Sequence, residues 1–107
     1  MIETASTAVN PVDLATRSGQ IPAALPAALG WDLAGTVAHA LGGSGFRTGD
    51  RVLAMTAQLG TGVGSMAEYV AFDPEFVAHV PDGMKLEEAA ALPLAGVTAT
   101  RRCLWRA

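Results

Sequence analysis

A single cysteine, Cys103, leaves this chain without an internal disulfide. It also excludes a four-cysteine zinc site within one chain. Basic residues are scarce: seven Lys and Arg stand against ten Asp and Glu, for a net charge of −3. No run of either sign forms the basic surface that nucleic acid requires, so no nucleic-acid partner is expected. Arg101, Arg102 and Arg106 crowd the C-terminal end, and that cluster reads as a solvated tail. No apolar run approaches the ~20 residues of a membrane helix. The N-terminus lacks a basic segment followed by an apolar one, so no signal peptide is expected. These absences point to a cytoplasmic chain without a membrane partner. Aromatic residues make up only 6% of the sequence although half of it is hydrophobic. A core must therefore come from Ala, Val and Leu, and 107 residues suffice for one modest domain.

What is present reads as short strands separated by turns, then helix. Ile2 to Val9 suits a strand, stopped by Asn10-Pro11. Asp13 can cap a short helical turn through Arg17, closed by Gly19. Pro22 to Gly30 reads as a surface loop, and Trp31 to Leu41 as a largely buried strand. Gly42-Gly43-Ser44-Gly45 and Thr48-Gly49-Asp50 are turns ahead of a strand at Arg51 to Met55. Gln58 to Ser65 carries three glycines and is expected to be a mobile loop. Met66 to Phe72 and Phe76 to Val80 read as strands around Asp73-Pro74. Lys85 to Leu92 is strongly helix-forming, Pro93 interrupts it, and a second helix runs from about Leu94 to the end.

Four segments carry a resemblance. They are Ala8-Val9-Asn10-Pro11-Val12-Asp13-Leu14 with Arg17-Ser18-Gly19, then Leu29 to Val37 (LGWDLAGTV), then Gly49-Asp50-Arg51-Val52 with Ala67-Glu68-Tyr69-Val70, and last Glu88 to Ala99 (EAAALPLAGVTA). In this order and spacing the chain resembles the medium-chain dehydrogenase/reductase family. The resemblance implies a mainly β, GroES-like, partly open barrel over residues 1–93, followed by the start of a linking helix over 94–107. The family's zinc enzymes resemble Cys-x-x-Asp at the first segment and Gly-His-Glu at the second. Here Asn10 and Trp31 replace the cysteine and the histidine. An indole N–H only donates and cannot ligate zinc. The resemblance therefore points to the zinc-free branch, which reduces quinones and α,β-unsaturated carbonyls with NADPH.

That branch implies roles for particular residues. Asn10 would lie beside the nicotinamide ribose and the substrate, and Thr98 would touch the nicotinamide end. Asp13 would hold the Asn10 turn, and Tyr69 would stand near the pocket rim. On residue chemistry alone Asp13 is a helix cap, Thr98 an ordinary helix residue and Tyr69 a packing residue. His39 and His79 read as structural, and Trp31 as a core or domain-interface residue. Gly60-Thr61-Gly62-Val63-Gly64 lacks the G-x-G-x-x-G spacing of a dinucleotide loop.

Family members have a hairpin before the segment seen here and a Rossmann domain after Thr98-Ala99. Thr100 to Ala107 does not resemble that continuation, and its composition is what a reading-frame change would produce. A truncated chain of this kind, lacking most contacts to NADPH, is expected to turn over slowly or not at all alone. Three readings stay open at this point. One is a quinone or enone reductase working with a separate Rossmann domain. Another is a non-enzymatic module that self-associates through exposed edges. The third is a relic without activity.

Overall fold

The computed structural model describes residues 1–24 and 26–105, apart from the side chains of Thr61 and Trp105. Its centre is an open five-stranded antiparallel sheet in the order β4-β1-β2-β3-β5. The strands are β1 (Ile2–Ala8), β2 (Asp32–Val37), β3 (Arg51–Met55), β4 (Tyr69–Val70) and β5 (Val77–His79). Among the described residues the α-helices are α1 (Pro11–Arg17), α2 (Gln58–Thr61), α3 (Leu86–Ala89) and α4 (Pro93–Trp105). The expected architecture of short strands with a helical exit is the one observed.

Successive side chains of a strand point to opposite faces, and β2 divides the core in that way. Leu33 and Val37 join Ile2, Val52, Ala54 and Val70 in one apolar cluster. Ala34, on the other face, packs with Val80, Ala89 and Ala90. Small side chains let the layers approach closely. Gly35 shows this most sharply, because a Cβ there would overlap the Glu3 carbonyl oxygen of the neighbouring strand. The β1–β2 register also shifts between Thr4 and Ser6, beside this contact.

Several elements are shorter than the sequence predicts. The strand expected over Trp31 to Leu41 is regular only over Asp32–Val37. Beyond it, Ala38 and His39 bond their N–H groups to the Met1 carbonyl, so His39 lies outside the strand. The strand expected over Met66 to Phe72 shrinks to Tyr69–Val70, because Ser65 and Met66 instead donate to the Gly30 and Leu29 carbonyls. The Phe76 to Val80 strand is regular over Val77–His79, after a 3-10 turn at Pro74–Phe76 whose Asp73 side chain accepts the Glu75 N–H at 3.0 Å. The helix expected over Lys85 to Leu92 is one turn, Leu86–Ala89. Pro93 disfavours helical geometry at Leu92 and starts α4 instead, where its missing N–H costs nothing.

The loop expected over Gln58 to Ser65 contains regular structure. The segment opens with the helical turn α2, and both Gln58 and Ser65 are buried. Gly64 is pressed against the Ala28 and Leu29 carbonyls, leaving no room for a Cβ. The segment is thus clamped onto residues 28–30. His79 lies 3.2 Å from the Asp50 carboxylate and stacks on Phe46.

Close backbone approach at β1–β2 yields a stability prediction. Gly35→Ala should destabilise the chain by about 1–3 kcal/mol through overpacking against Glu3. Gly42→Ala, where a Cβ meets nothing within 4 Å, should change stability by less than about 0.5 kcal/mol. Urea unfolding of both variants beside the parent checks the pair.

Candidate functional site

Asn10 is the N-cap of α1, with extended backbone angles of φ −117° and ψ 160°. It sits where β1 has ended and Pro11 begins the helix with φ already restricted. Its backbone N–H donates to Asp13 Oδ2 at 2.9 Å. Asp13 was expected as the cap itself; it is instead the third helical residue and reaches back to the cap. Its other oxygen, Oδ1, accepts the Gly30 N–H at 2.9 Å. Asp13 is only 2% exposed, so these two bonds compensate a buried carboxylate. Gly30 meets it with φ +103°, a conformation that suits glycine, and a Cβ there would strike Ser65 Oγ. Asp13 therefore holds the Asn10 turn and ties it to the chain entering β2.

The side chain of Asn10 points to Asp32, a residue without an expected role. Its Nδ2 donates to Asp32 Oδ2 at 2.9 Å. Asp32 Oδ1 accepts the Leu94 N–H at 2.8 Å, in the first turn of α4. Asp32 is 1% exposed. Burial pushes its carboxyl above the usual range, and the nearby negative charge of Asp13 acts in the same direction. The hydrogen bonds from Asn10 and Leu94 oppose that shift. A signal for Asp32 was present in the sequence: a carboxylate at the head of the apolar run LAGTV needs a partner if that run is buried.

A carboxylate only accepts hydrogen bonds, so Asp32 fixes which end of the Asn10 amide faces it. The nitrogen is turned toward Asp32 and the oxygen away from it. Thr98 lies on the exposed side of α4, four residues after Leu94 and thus one turn along the same helix face. Asn10, Asp13, Asp32 and the start of α4 form one connected group, with Thr98 beyond it. Tyr69 does not join them. It is exposed on β4 opposite Glu3, near the start of β1, whereas Asn10 follows the end of that strand.

Two further arrangements bear on what the chain can hold. Among the described residues, no three His, Cys, Asp or Glu side chains gather as a metal-holding group. Of the glycines from Gly60 to Gly64, Gly60 lies inside α2 and Gly62 is its left-handed C-cap. The element that follows these glycines is the strand β4, not the helix of a dinucleotide loop. Among the described residues no helix is long and apolar enough to cross a membrane.

The raised carboxyl of Asp32 gives a pH prediction. Its folded-state affinity for a proton exceeds that of the unfolded chain, so its contribution to stability is full below the ordinary value of 3.8. That contribution is lost as pH rises through the raised folded value. The stability of the parent relative to Asp32→Asn should therefore be greater at low pH than at neutrality. Paired unfolding curves across that range check the sign; a difference independent of pH would refute it.

Residues 1–82 match the model of the alcohol dehydrogenase GroES-like domain. The chloroplast envelope quinone oxidoreductase homolog of Arabidopsis thaliana is 37% identical over 101 residues, covering 88% of this chain and 30% of that protein. The 2-methylene-furan-3-one reductase of Solanum lycopersicum is 38% identical over 109 residues, covering 92% of this chain and 28% of that protein. A solved mycobacterial protein complexed with NADPH superposes with a TM-score of 0.78 at 36% identity, covering 92% of this chain and 28% of that one. The chain spans less than a third of the length of these relatives. Through its alcohol dehydrogenase GroES-like domain, the chain belongs to the medium-chain dehydrogenase/reductase family of oxidoreductases.

Proposed function

We propose that this domain forms the substrate side of a zinc-independent, NADPH-dependent reductase of quinones or enones. The observation that carries the proposal is the Asn10 amide, held by Asp32 with its oxygen turned away from the carboxylate. A fixed amide oxygen suits a ribose hydroxyl or a carboxamide N–H at the nicotinamide end of the cofactor. An amide and a hydroxyl, Asn10 and Thr98, are a neutral donor–acceptor set fitted to that end of the molecule. NADPH, when bound, supplies the hydride that passes to an electron-poor carbon of the acceptor. The residues of this chain orient and do not react. Asp13 fixes the Asn10 backbone, Asp32 fixes its side chain, and Asp32 also sets the start of the helix that carries Thr98.

The names of the relatives support the substrate class, since they include a quinone oxidoreductase homolog and a furanone reductase. A strand–turn–helix cradle for the pyrophosphate is not among the described residues. The larger part of the cofactor must then be held by a nucleotide-binding domain, joined to this one or supplied separately.

The test joins the chain to the nucleotide-binding domain of a relative and measures NADPH binding and oxidation with quinone and enone acceptors. Asn10→Ala should weaken NADPH binding about fivefold, the value of one net hydrogen bond. Trp31 fluorescence reports the cofactor's arrival beside the site. A folded fusion that binds NADPH equally well with Asn10 or Ala at that position would sink the assigned role. A fusion that binds NADPH but reduces no acceptor of either class would sink the substrate reading.

A further inference from the structure

Among the described residues, Trp31 Nε1, Gln58 Oε1 and Ser65 Oγ are buried polar atoms without a hydrogen-bond partner. Ser65 is 0% exposed and Gln58 2%. The chain segments that carry them are bound together backbone to backbone. Thr56 N–H donates to the Trp31 carbonyl at 2.8 Å, two residues before Gln58 starts α2. Ser65 N–H donates to the Gly30 carbonyl at 3.1 Å, next to Trp31, and Ser65 Oγ rests against Gly30 where a Cβ would be. Thr4 Oγ1, on β1, is also without a partner.

Leaving three such groups unpaired in the interior would cost about 1–3 kcal/mol apiece, and native interiors rarely tolerate it. Their chemistry is complementary. The indole N–H only donates, the amide oxygen only accepts, and the hydroxyl does either. We propose that Trp31, Gln58 and Ser65 form an enclosed binding site for one water molecule. The water accepts from Trp31 Nε1, donates to Gln58 Oε1 and exchanges its third bond with Ser65 Oγ. Three partners of mixed polarity are what an interior water usually has.

The site has a structural consequence. It joins the 57–66 segment to Trp31, between Gly30, whose N–H holds Asp13, and Asp32, which holds Asn10. The water is thus a buttress of the Asn10 turn that makes no contact with a cofactor. This inference does not depend on the reductase reading.

The test is water–protein NMR on the 107-residue chain in a Trp105→Phe background, where Trp31 gives the one remaining indole N–H signal. The expected result is a cross-peak between that proton and water with the sign of an intramolecular contact, marking a water held longer than molecular tumbling. Ser65→Ala and Gln58→Met should each lower its intensity about fivefold, as one hydrogen bond of the site is removed. Ser65→Gly and Gln58→Leu replace them should either first variant fail to fold. No cross-peak in the folded parent overturns the proposal. So does a peak that responds to only one of the two positions or to neither, because loss with Ser65 alone would identify the hydroxyl proton as its source.

Discussion

The buried carboxylate of Asp32 is the constraint on which this domain's arrangement turns. At 1% exposure it would be intolerable without partners, and among the described residues no Lys or Arg is paired with it. Its compensation comes from two neutral donors far away in the sequence, the Asn10 amide at a separation of 22 residues and the Leu94 N–H at 62. Three segments must therefore arrive together: the end of β1, the start of β2 and the start of α4. A neutral pair of donors leaves the carboxyl above its ordinary range, whereas an arginine would have depressed it.

The bond to Leu94 serves the helix as well as the carboxylate. The first turn of any helix has N–H groups without intrahelical partners, and the positive end of its dipole favours an anion. Caps usually come from the residue just before the helix, yet here Leu92 precedes Pro93 and offers no side-chain acceptor. Asp32 is a cap supplied by the sheet. It fixes where α4 begins and so where Thr98, one turn further, comes to stand. In α1 the same economy is local: the Asp13 carboxylate accepts the Asn10 N–H three residues back, while the Asp13 N–H donates to the Asn10 carbonyl.

That contrast explains how much was legible in the sequence. The β1 strand, the α1 turn, β3 and the start of α4 are marked by local chemistry: Asn10-Pro11, Gly49-Asp50 and Pro93 act on their immediate neighbours. Asn10 and Asp13 were legible as a unit for the same reason. Asp32 was not, because both its partners are tertiary. The helical turn and buried ends of the 58–65 segment are not legible, because its glycines look permissive in isolation. In the fold, Gly64 exists to let the backbone touch the Ala28 and Leu29 carbonyls, and buried Gln58 and Ser65 anchor both sides. A glycine that gives freedom and one that permits close contact look identical in a sequence. Tyr69 pairs with Glu3, at the end of β1 opposite to the one that Asn10 follows.

The alanines of the Glu88 to Ala91 run carry a similar ambiguity. By propensity they argue for a long helix, but only one turn, Leu86–Ala89, is helical before the chain bends into α4. Their contribution is size. Ala89 and Ala90 are 0% and 1% exposed and lie against Ala34 of β2, so the turn sits close to the sheet. Ser6 Oγ fixes it by donating to the Leu86 carbonyl at 2.5 Å, and Arg51 donates to the Met84 carbonyl just before it. Larger side chains at 89 and 90 would lift this turn off β2, and with it the Leu94 N–H that must reach Asp32 within 2.8 Å. The small-residue layer and the buried carboxylate are therefore one device. The first sets the height of the chain above the sheet, and the second uses that height to aim the helix past Asn10.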